Sequence, residues 1–359
     1  MSSGTRLVVV VASRRGAALA ERVKAALPQA EVHATARWQT LVPCAQAIEL
    51  PLSETLPRLF GDPTVGGLIV VLGVGPTVRL LAPWLHNKEH DPAVVCVDDG
   101  GRFAVAVLSG HQGGANVLAR RVADALGACP VITTASESNG VLSVDLLGAD
   151  VGWRIEATPA ALRYAAAAVI NGDPVAVYQD AGDTAWQSAD NVPSNLRVLS
   201  DLSEVGPVGV LLAISDRVLE LPGELACAVV YRPPTLVAGI GCSRGATADD
   251  IAAAIDQALA QDELAGASLA CLATVDRRLH EPGVVEYARR SGLPLRGFTG
   301  ESLAAVQGIP NPSPVVQAAV GTPGVCEPAA LLASGAAKLL VPKVKTARAT
   351  AAIARRVGP

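Results

Sequence analysis

Five short stretches carry residue types that can do chemistry at the spacing where they stand. In SGHQGGAN at residues 109–116, Gly110, Gly113 and Gly114 lie between an apolar run and an Ala/Leu-rich run. Glycine lets a main chain approach a ligand closely, and the start of the helix expected next offers unpaired N–H groups to an anion. An imidazole can exchange a proton near neutral pH, so His111 can act there as acid or base, flanked in sequence by Ser109 and Asn116. A tight strand–helix turn with an exposed histidine fits the same pattern. No Gly-Lys-Ser/Thr phosphate loop is present, and the glycines are not in G-x-G-x-x-G order.

GIGCSRG at 239–245 is the second glycine corner, again between a strand-like and a helix-like run. Its spacing is G-x-G-x-x-x-G, and the acid at the end of the next strand, Asp276, comes later than the roughly 20 residues a dinucleotide site uses. A glycine-lined anion pocket formed by Gly241 and Ser243, with Arg244 as a carboxylate partner, suits these residues better. Cys242 reads as a packed thiol, since no histidine follows it closely. HNKEH at 86–90 matches the H-x-x-E-H zinc pattern through His86, Glu89 and His90, but Asp91-Pro92 ends any helix at once and no third ligand is evident. ITTASESNG at 132–140 places Thr133 and Thr134 at the end of a strand, where open α/β sheets bind ligands and where ordinary turns also occur. The fifth stretch, DRRLHEPG at 276–283, reads either as a polar substrate contact or as a solvated loop capping a helix.

The elements that must hold these stretches alternate. Short β-branched runs, Gly-rich or polar turns and Ala/Leu-rich helical runs recur, which predicts parallel sheets covered by helices. Strands are expected at residues 7–12, 67–73, 93–97, 103–108 and 131–134, and helices at 17–26, 76–85 and 115–126. The middle is richer in Asp, Asn and Pro, with strands at 174–178 and 208–214, and Tyr231-Arg232-Pro233-Pro234 reads as a stiff spacer. Beyond it, strands are expected at 236–240, 269–274, 295–298 and 338–341, with a capping box at Thr247–Asp250 opening a helix. The fold class is therefore two α/β domains with mainly parallel sheets, residues 1–144 and 233–359, joined by a small mixed α+β middle domain, residues 145–232.

Composition narrows the function. The 359 residues are 50% hydrophobic and 17% charged, which excludes bulk disorder. Aromatics make up 3% and the net charge is −4, so neither a stacking surface nor a basic field for nucleic acid is expected. No apolar run approaches the ~20 residues of a membrane span, and the start is too short in apolar residues for a signal peptide. The seven scattered cysteines form no C-x-x-C, which fits reduced thiols in the cytoplasm.

Together these stretches resemble the CbiG family, the cobalt-precorrin-5A hydrolases of cobalamin synthesis. The resemblance is carried by TVR at 77–79 and DPAVV at 91–95 leading into LSGHQGGAN at 108–116 and VITTAS at 131–136, then by VAGIGCSRGA at 237–246. A third block runs from TVD at 274–276 through EPG at 281–283 and GLPLRGF at 292–298 to GVCEPAA at 324–330 and LLVPKVKT at 339–346. Gly75-Pro76-Thr77 departs from the more apolar stretch expected there. The resemblance implies a ring-contracted cobalt tetrapyrrole substrate bearing many carboxylates and a δ-lactone, opened by water with release of acetaldehyde. Cobalt arrives inside the substrate, so no protein-held cofactor is expected. The implied partners are this small molecule and neighbouring corrin-pathway enzymes. On this reading His111 is the general base. Arg79, Ser109, Gly110, Gly113, Gly114, Asn116, Thr133, Thr134, Gly241, Ser243, Arg244, Asp276 and Glu327 are the substrate contacts. Arg102 is a further cation suited to the carboxylates. Two alternatives stand beside it. One is a non-catalytic carrier of a tetrapyrrole intermediate, because the C-terminal block alone resembles the small protein CobE; the other is a zinc hydrolase using His86, Glu89 and His90.

Overall fold

A computed structural model describes residues 5–48, 51–86, 91–110, 113–134, 142–188, 192–205, 209–223 and 225–358. The chain divides into two compact units, Met1–Leu146 and Leu147–Pro359.

In the first unit, β1 (Arg6–Val11), α1 (Arg14–Ala26), β2 (Glu31–Thr35), β3 (Gln46–Ile48), α2 (Leu52–Phe60), β4 (Val65–Val71), α3 (Val74–Leu81) and β5 (Ala93–Val97) are followed by β6 (Phe103–Leu108), α4 (Ala115–Leu126) and β7 (Cys129–Val131). The described strands form one sheet in the order β3-β2-β1-β4-β5-β6-β7. The central strand β1 is a continuous apolar run because both of its faces are covered. Val9 and Val11 pack with α1 and α4 residues such as Val23 and Leu118, while Val8 and Val10 pack with Leu56, Phe60 and Leu81. The helix expected at 76–85 stops at Leu81 and tightens into a 3₁₀ turn over Ala82–Trp84, where Pro83 removes a helical donor.

Strands β1 to β5 run parallel, but β6 is antiparallel to β5 and β7 is parallel to β6. The reversal is made by the Asp98–Phe103 turn, where Asp98 accepts the N–H groups of Arg102 and Phe103 at 2.8 and 2.7 Å. Consequently the loops leaving β6 and β7 emerge on the edge where β5 begins.

The second unit holds two sheets. β8 (Arg154–Glu156), α5 (Pro159–Asn171), β9 (Val175–Gln179), β10 (Leu196–Leu199), β11 (Val210–Ile214) and β12 (Cys227–Arg232) give the order β10-β9-β11-β12-β8, parallel except for β8. Then follow β13 (Leu236–Cys242), α6 (Ala248–Ala260), β14 (Leu269–Val275), α7 (Pro282–Ser291), β15 (Leu295–Phe298), α8 (Gly300–Ala304), α9 (Pro314–Val320), α10 (Cys326–Ser334), β16 (Val341–Lys345) and β17 (Ala349–Arg355). Their sheet order is β15-β14-β13-β17-β16, with β13 to β15 parallel and β17 antiparallel to both neighbours. Helix α10 packs so closely on β13 that a Cβ at Gly239 would collide with the Cys326 carbonyl.

Two expectations are corrected. Tyr231 and Arg232 are not a spacer: they end β12, are 0% and 7% exposed, and the Arg232 guanidinium holds Glu156 at 2.8 Å and the Ser215 carbonyl at 3.1 Å. The interior strand β17 is not announced by the sequence pattern, and the strand expected at 338–341 lies instead at Val341–Lys345. Residues 349–355 are Ala-rich and covered on both faces, so they show no polar–apolar alternation.

The two sheets of this unit are bolted together by polar groups. Asp216, 0% exposed, accepts Nε and Nη2 of Arg355 at 2.8 and 2.6 Å and the Thr235 hydroxyl at 2.6 Å. Its carbonyl takes the Ala265 N–H at 2.7 Å, and Arg217 pairs with Asp262 at 3.2 Å.

Candidate functional site

At the first glycine corner, Ser109 has φ +56°, a left-handed conformation that costs a non-glycine residue about 1–2 kcal/mol. The hydroxyl that helps hold it there donates to the Asp91 carbonyl at 2.8 Å, tying the end of β6 to the segment entering β5. The loop then folds back on itself. The Ser109 carbonyl accepts the Ala115 N–H at 3.1 Å and the Gly110 carbonyl accepts the Asn116 N–H at 3.0 Å. Two of the donors expected to face a ligand at the start of α4 are thus already taken. Gly113 is required because a Cβ would strike Ser109.

Asn116 is 2% exposed and lies beneath Gly110, where a Cβ would stand 2.8 Å from its Oδ1. Its Nδ2 donates to the Thr134 hydroxyl at 3.0 Å, so the loops after β6 and β7 are joined through one amide. Among the described residues its Oδ1 has no hydrogen-bond partner. The structure therefore brings Ser109, Gly110, Gly113, Gly114, Asn116 and Thr134 together, with Thr133 exposed beside them. Arg79 is exposed in the last turn of α3. His111, Glu89 and His90 lie outside the described residues. The His86 N–H donates to the Asp91 carboxylate at 3.3 Å. Among the described residues no group of three or more His, Cys, Asp or Glu side chains is placed to hold a metal.

The second corner is built differently. The expected capping box is present: Thr247 and Asp250 satisfy each other's main-chain donors at the start of α6. Upstream of it, the Gly245 N–H donates to Glu281 Oε1 at 2.6 Å, and Arg278 donates to Glu281 Oε2 at 2.5 Å. These bonds, the Gly245 one foremost, hold the Glu281 carboxyl below its ordinary pKa. The donors expected to await a ligand here are filled by the protein's own carboxylates. Ser243 and Arg244 are exposed, Gly241 accepts the Thr350 hydroxyl at 3.2 Å, and the exposed Asp276 accepts the Arg277 N–H at 2.7 Å. Burial pushes the Cys242 thiol up, which fits a packed thiol and disfavours a thiolate nucleophile.

Glu327 faces inward. It is 1% exposed and accepts the Asn311 N–H and side-chain amide at 3.1 and 2.8 Å and the Lys343 N–H at 3.0 Å, anchoring the loop before α9 to β16. Arg348 was not read from the sequence. Its Nη2 holds the carbonyls of Arg244 and Gly245 at 3.2 and 2.8 Å, and its own carbonyl takes the Ser243 N–H at 2.9 Å. It lies about a hundred residues downstream in an unremarked turn, so no local motif points to it.

Three family profiles match in chain order: Cobalamin synthesis G N-terminal over residues 55–137, Cobalamin biosynthesis central region over 142–233 and Cobalamin synthesis G C-terminus over 236–354. The cobalt-precorrin-5A hydrolase of Priestia megaterium is 35% identical, covering 96% of this chain and 94% of that protein. The enzyme of the same name from Salmonella typhimurium is 32% identical over 76% of this chain and 77% of its own length. Protein CobE of a Sinorhizobium species is 37% identical over 33% of this chain and 79% of its own. These matches place the chain among the cobalamin-synthesis proteins. The chain belongs to the CbiG family.

Proposed function

We infer that this chain is a cobalt-precorrin-5A hydrolase, a hydrolase of cobalamin biosynthesis acting in the cytoplasm. The observation that carries the reading is the match to hydrolases along nearly the whole chain, which spans the His111 corner as well as the GIGCSRG corner. The CobE relative covers a third of the chain, so a carrier role resting on that likeness leaves the first corner without a task. No helix of the described residues is long and apolar enough to cross a membrane.

The chemistry asked of the site is ordinary. A base takes a proton from water, water adds to the lactone carbonyl, and the C–O bond of the lactone breaks to leave a carboxylate and an alkoxide. The alkoxide carbon, with its methyl, then departs as acetaldehyde. The electron pair of the broken C–C bond returns to the macrocycle, which takes up a proton. His111 is the residue we assign to the base, because an imidazole carries a proton reversibly near neutral pH. Asn116 and Thr134, joined at 3.0 Å, tie the start of α4 nearby to the segment after β7. Arg79 and Thr133 in the first unit, and Ser243, Arg244 and Asp276 in the second, are exposed and remain our candidate substrate contacts, each set taken by itself, whereas Glu327 is engaged in holding Asn311 and Lys343.

The test is His111→Ala against wild type, with acetaldehyde as the readout. Loss of a general base lowers turnover about 100-fold or more while the fold persists. Undiminished turnover removes His111 from the role. Tight binding of the intermediate by wild type with no acetaldehyde formed would favour the carrier.

A further inference from the structure

In the second unit two sheets of parallel strands each present a carboxyl edge, the position at which open α/β sheets take their ligands. One of these edges is closed. The segment following β11 is covered by the C-terminal sheet's own loops: Asp216 is enclosed by Arg355 and Thr235, Arg217 is held by Asp262, and the Val218 N–H reaches the Glu263 carbonyl at 2.6 Å. These groups come from the opposite, amino edge of β13 and from the end of β17, and not from the carboxyl edge of the C-terminal sheet.

That edge carries more cations than acids on a chain whose net charge is −4, its acids being Glu281, the exposed Asp276, and Asp250, which lies 3.9 Å from Arg348. Arg244, Lys345 and Arg348 are exposed there and Arg278 is partly so. Lys345 belongs to the same edge because it pairs with Thr350, which pairs with Gly241. The edge already holds one carboxylate, Glu281, between a main-chain N–H and a guanidinium. Those are the two donor types that recognise a carboxylate by geometry and charge. The Gly245 N–H is aimed by Arg348, which grips the Arg244 carbonyl of that same peptide and the Gly245 carbonyl of the next.

We propose that a side-chain carboxylate of the substrate docks on this edge by taking the Gly245 N–H and the Arg278 guanidinium, with Glu281 turning out to solvent. The proposal rests on the reading of the ligand as a polycarboxylate macrocycle. The exchange moves one side chain only. The Glu281 main chain stays fixed by its N–H bond to the Arg278 carbonyl at 3.1 Å, by Pro282 after it, and by Gly283, where a Cβ would collide with the Ala246 carbonyl. One carboxylate replaces another, so the donors end as satisfied as they began, and the released Glu281 regains water.

The test uses the full chain and coproporphyrin, a porphyrin tetracarboxylate, as the probe, with affinity read from the change in its absorbance. Glu281→Gln keeps the side-chain shape but frees Arg278. It is expected to bind the probe at least threefold more tightly than wild type, a gain that a structural tie would not produce. Arg278→Met is expected to bind at least tenfold more weakly, the range of a lost charge-assisted hydrogen bond. Should Glu281→Gln fail to fold, Glu281→Asp takes its place, since its shorter arm cannot span both donors, and the same tightening is expected. Unchanged or weaker binding by a folded Glu281 variant overturns the proposal, as does undiminished binding by Arg278→Met. Acetaldehyde release by wild type is scored separately. Release without tightening sinks the exchange alone, and tightening without release leaves the exchange standing while the hydrolase reading falls.

Discussion

Replacing Asp216 by Asn should loosen the joint inside the second unit more than any surface change of the same size. The carboxylate is wholly buried and accepts three hydrogen bonds, two of them from Arg355. Removing one partner of a buried ion pair costs about 3–5 kcal/mol, because the other charge is left uncompensated. Arg355 keeps 35% of its side chain exposed, so water recovers part of that loss. A cost of about 3 kcal/mol is therefore expected, which for a unit of this size lowers the unfolding midpoint by about 6–12 °C. Thermal unfolding followed by circular dichroism measures it. Arg355→Met should cost less, and the double variant should fall short of the summed singles by about 1 kcal/mol or more. A midpoint for Asp216→Asn within about 1 °C of wild type would refute the claim that this pair locks the two sheets together.

Two further predictions follow from buried polar groups. Burial lowers the pKa of His33, which is 8% exposed, despite the opposing pull of Glu31, and Arg6 adds to the lowering. The unfolded chain therefore takes up this proton first. The first unit should be fully stable above about pH 6.5 and lose stability as pH falls through the lower folded value. Urea unfolding of His33→Gln should show a flatter dependence between about pH 7 and pH 5, and equal slopes for both proteins would exclude His33 as the cause. Glu327→Ala strands three donors, each worth about 1–3 kcal/mol when buried. Its activity should be lost with its folded fraction, while KM for the molecules that remain folded stays within about twofold. A large rise in KM at unchanged stability would instead make Glu327 a substrate contact.

The sequence could be read furthest where local chemistry decides the structure. A capping box needs only Thr247 and Asp250 three residues apart, and it formed as its spacing requires. The glycine corners were legible because strand, glycines and helix follow one another directly. Their occupancy was not. That the Gly245 N–H is filled by Glu281, or that Ser109 leans on Asp91, depends on pairs set by the fold and distant in the chain. The direction of β6 was hidden for the same reason, since an apolar run does not announce whether it pairs parallel or antiparallel. Arg232 reads as part of a spacer because consecutive prolines favour an extended, stiff segment, whereas here the guanidinium is buried against Glu156 and two carbonyls. Glu327 was named as a substrate contact only through the family resemblance, and its burial could not be read from that stretch, because the groups that enclose it, Asn311 and Lys343, lie sixteen residues away on either side.

The most direct measurement is incubation of the purified chain with cobalt-precorrin-5A under anaerobic conditions, with trapping of volatile aldehyde and mass analysis of the corrinoid. The account predicts one acetaldehyde for each substrate consumed and a product changed in mass by the gain of water and the loss of acetaldehyde. An unaltered macrocycle recovered from a folded, substrate-bound protein would contradict it.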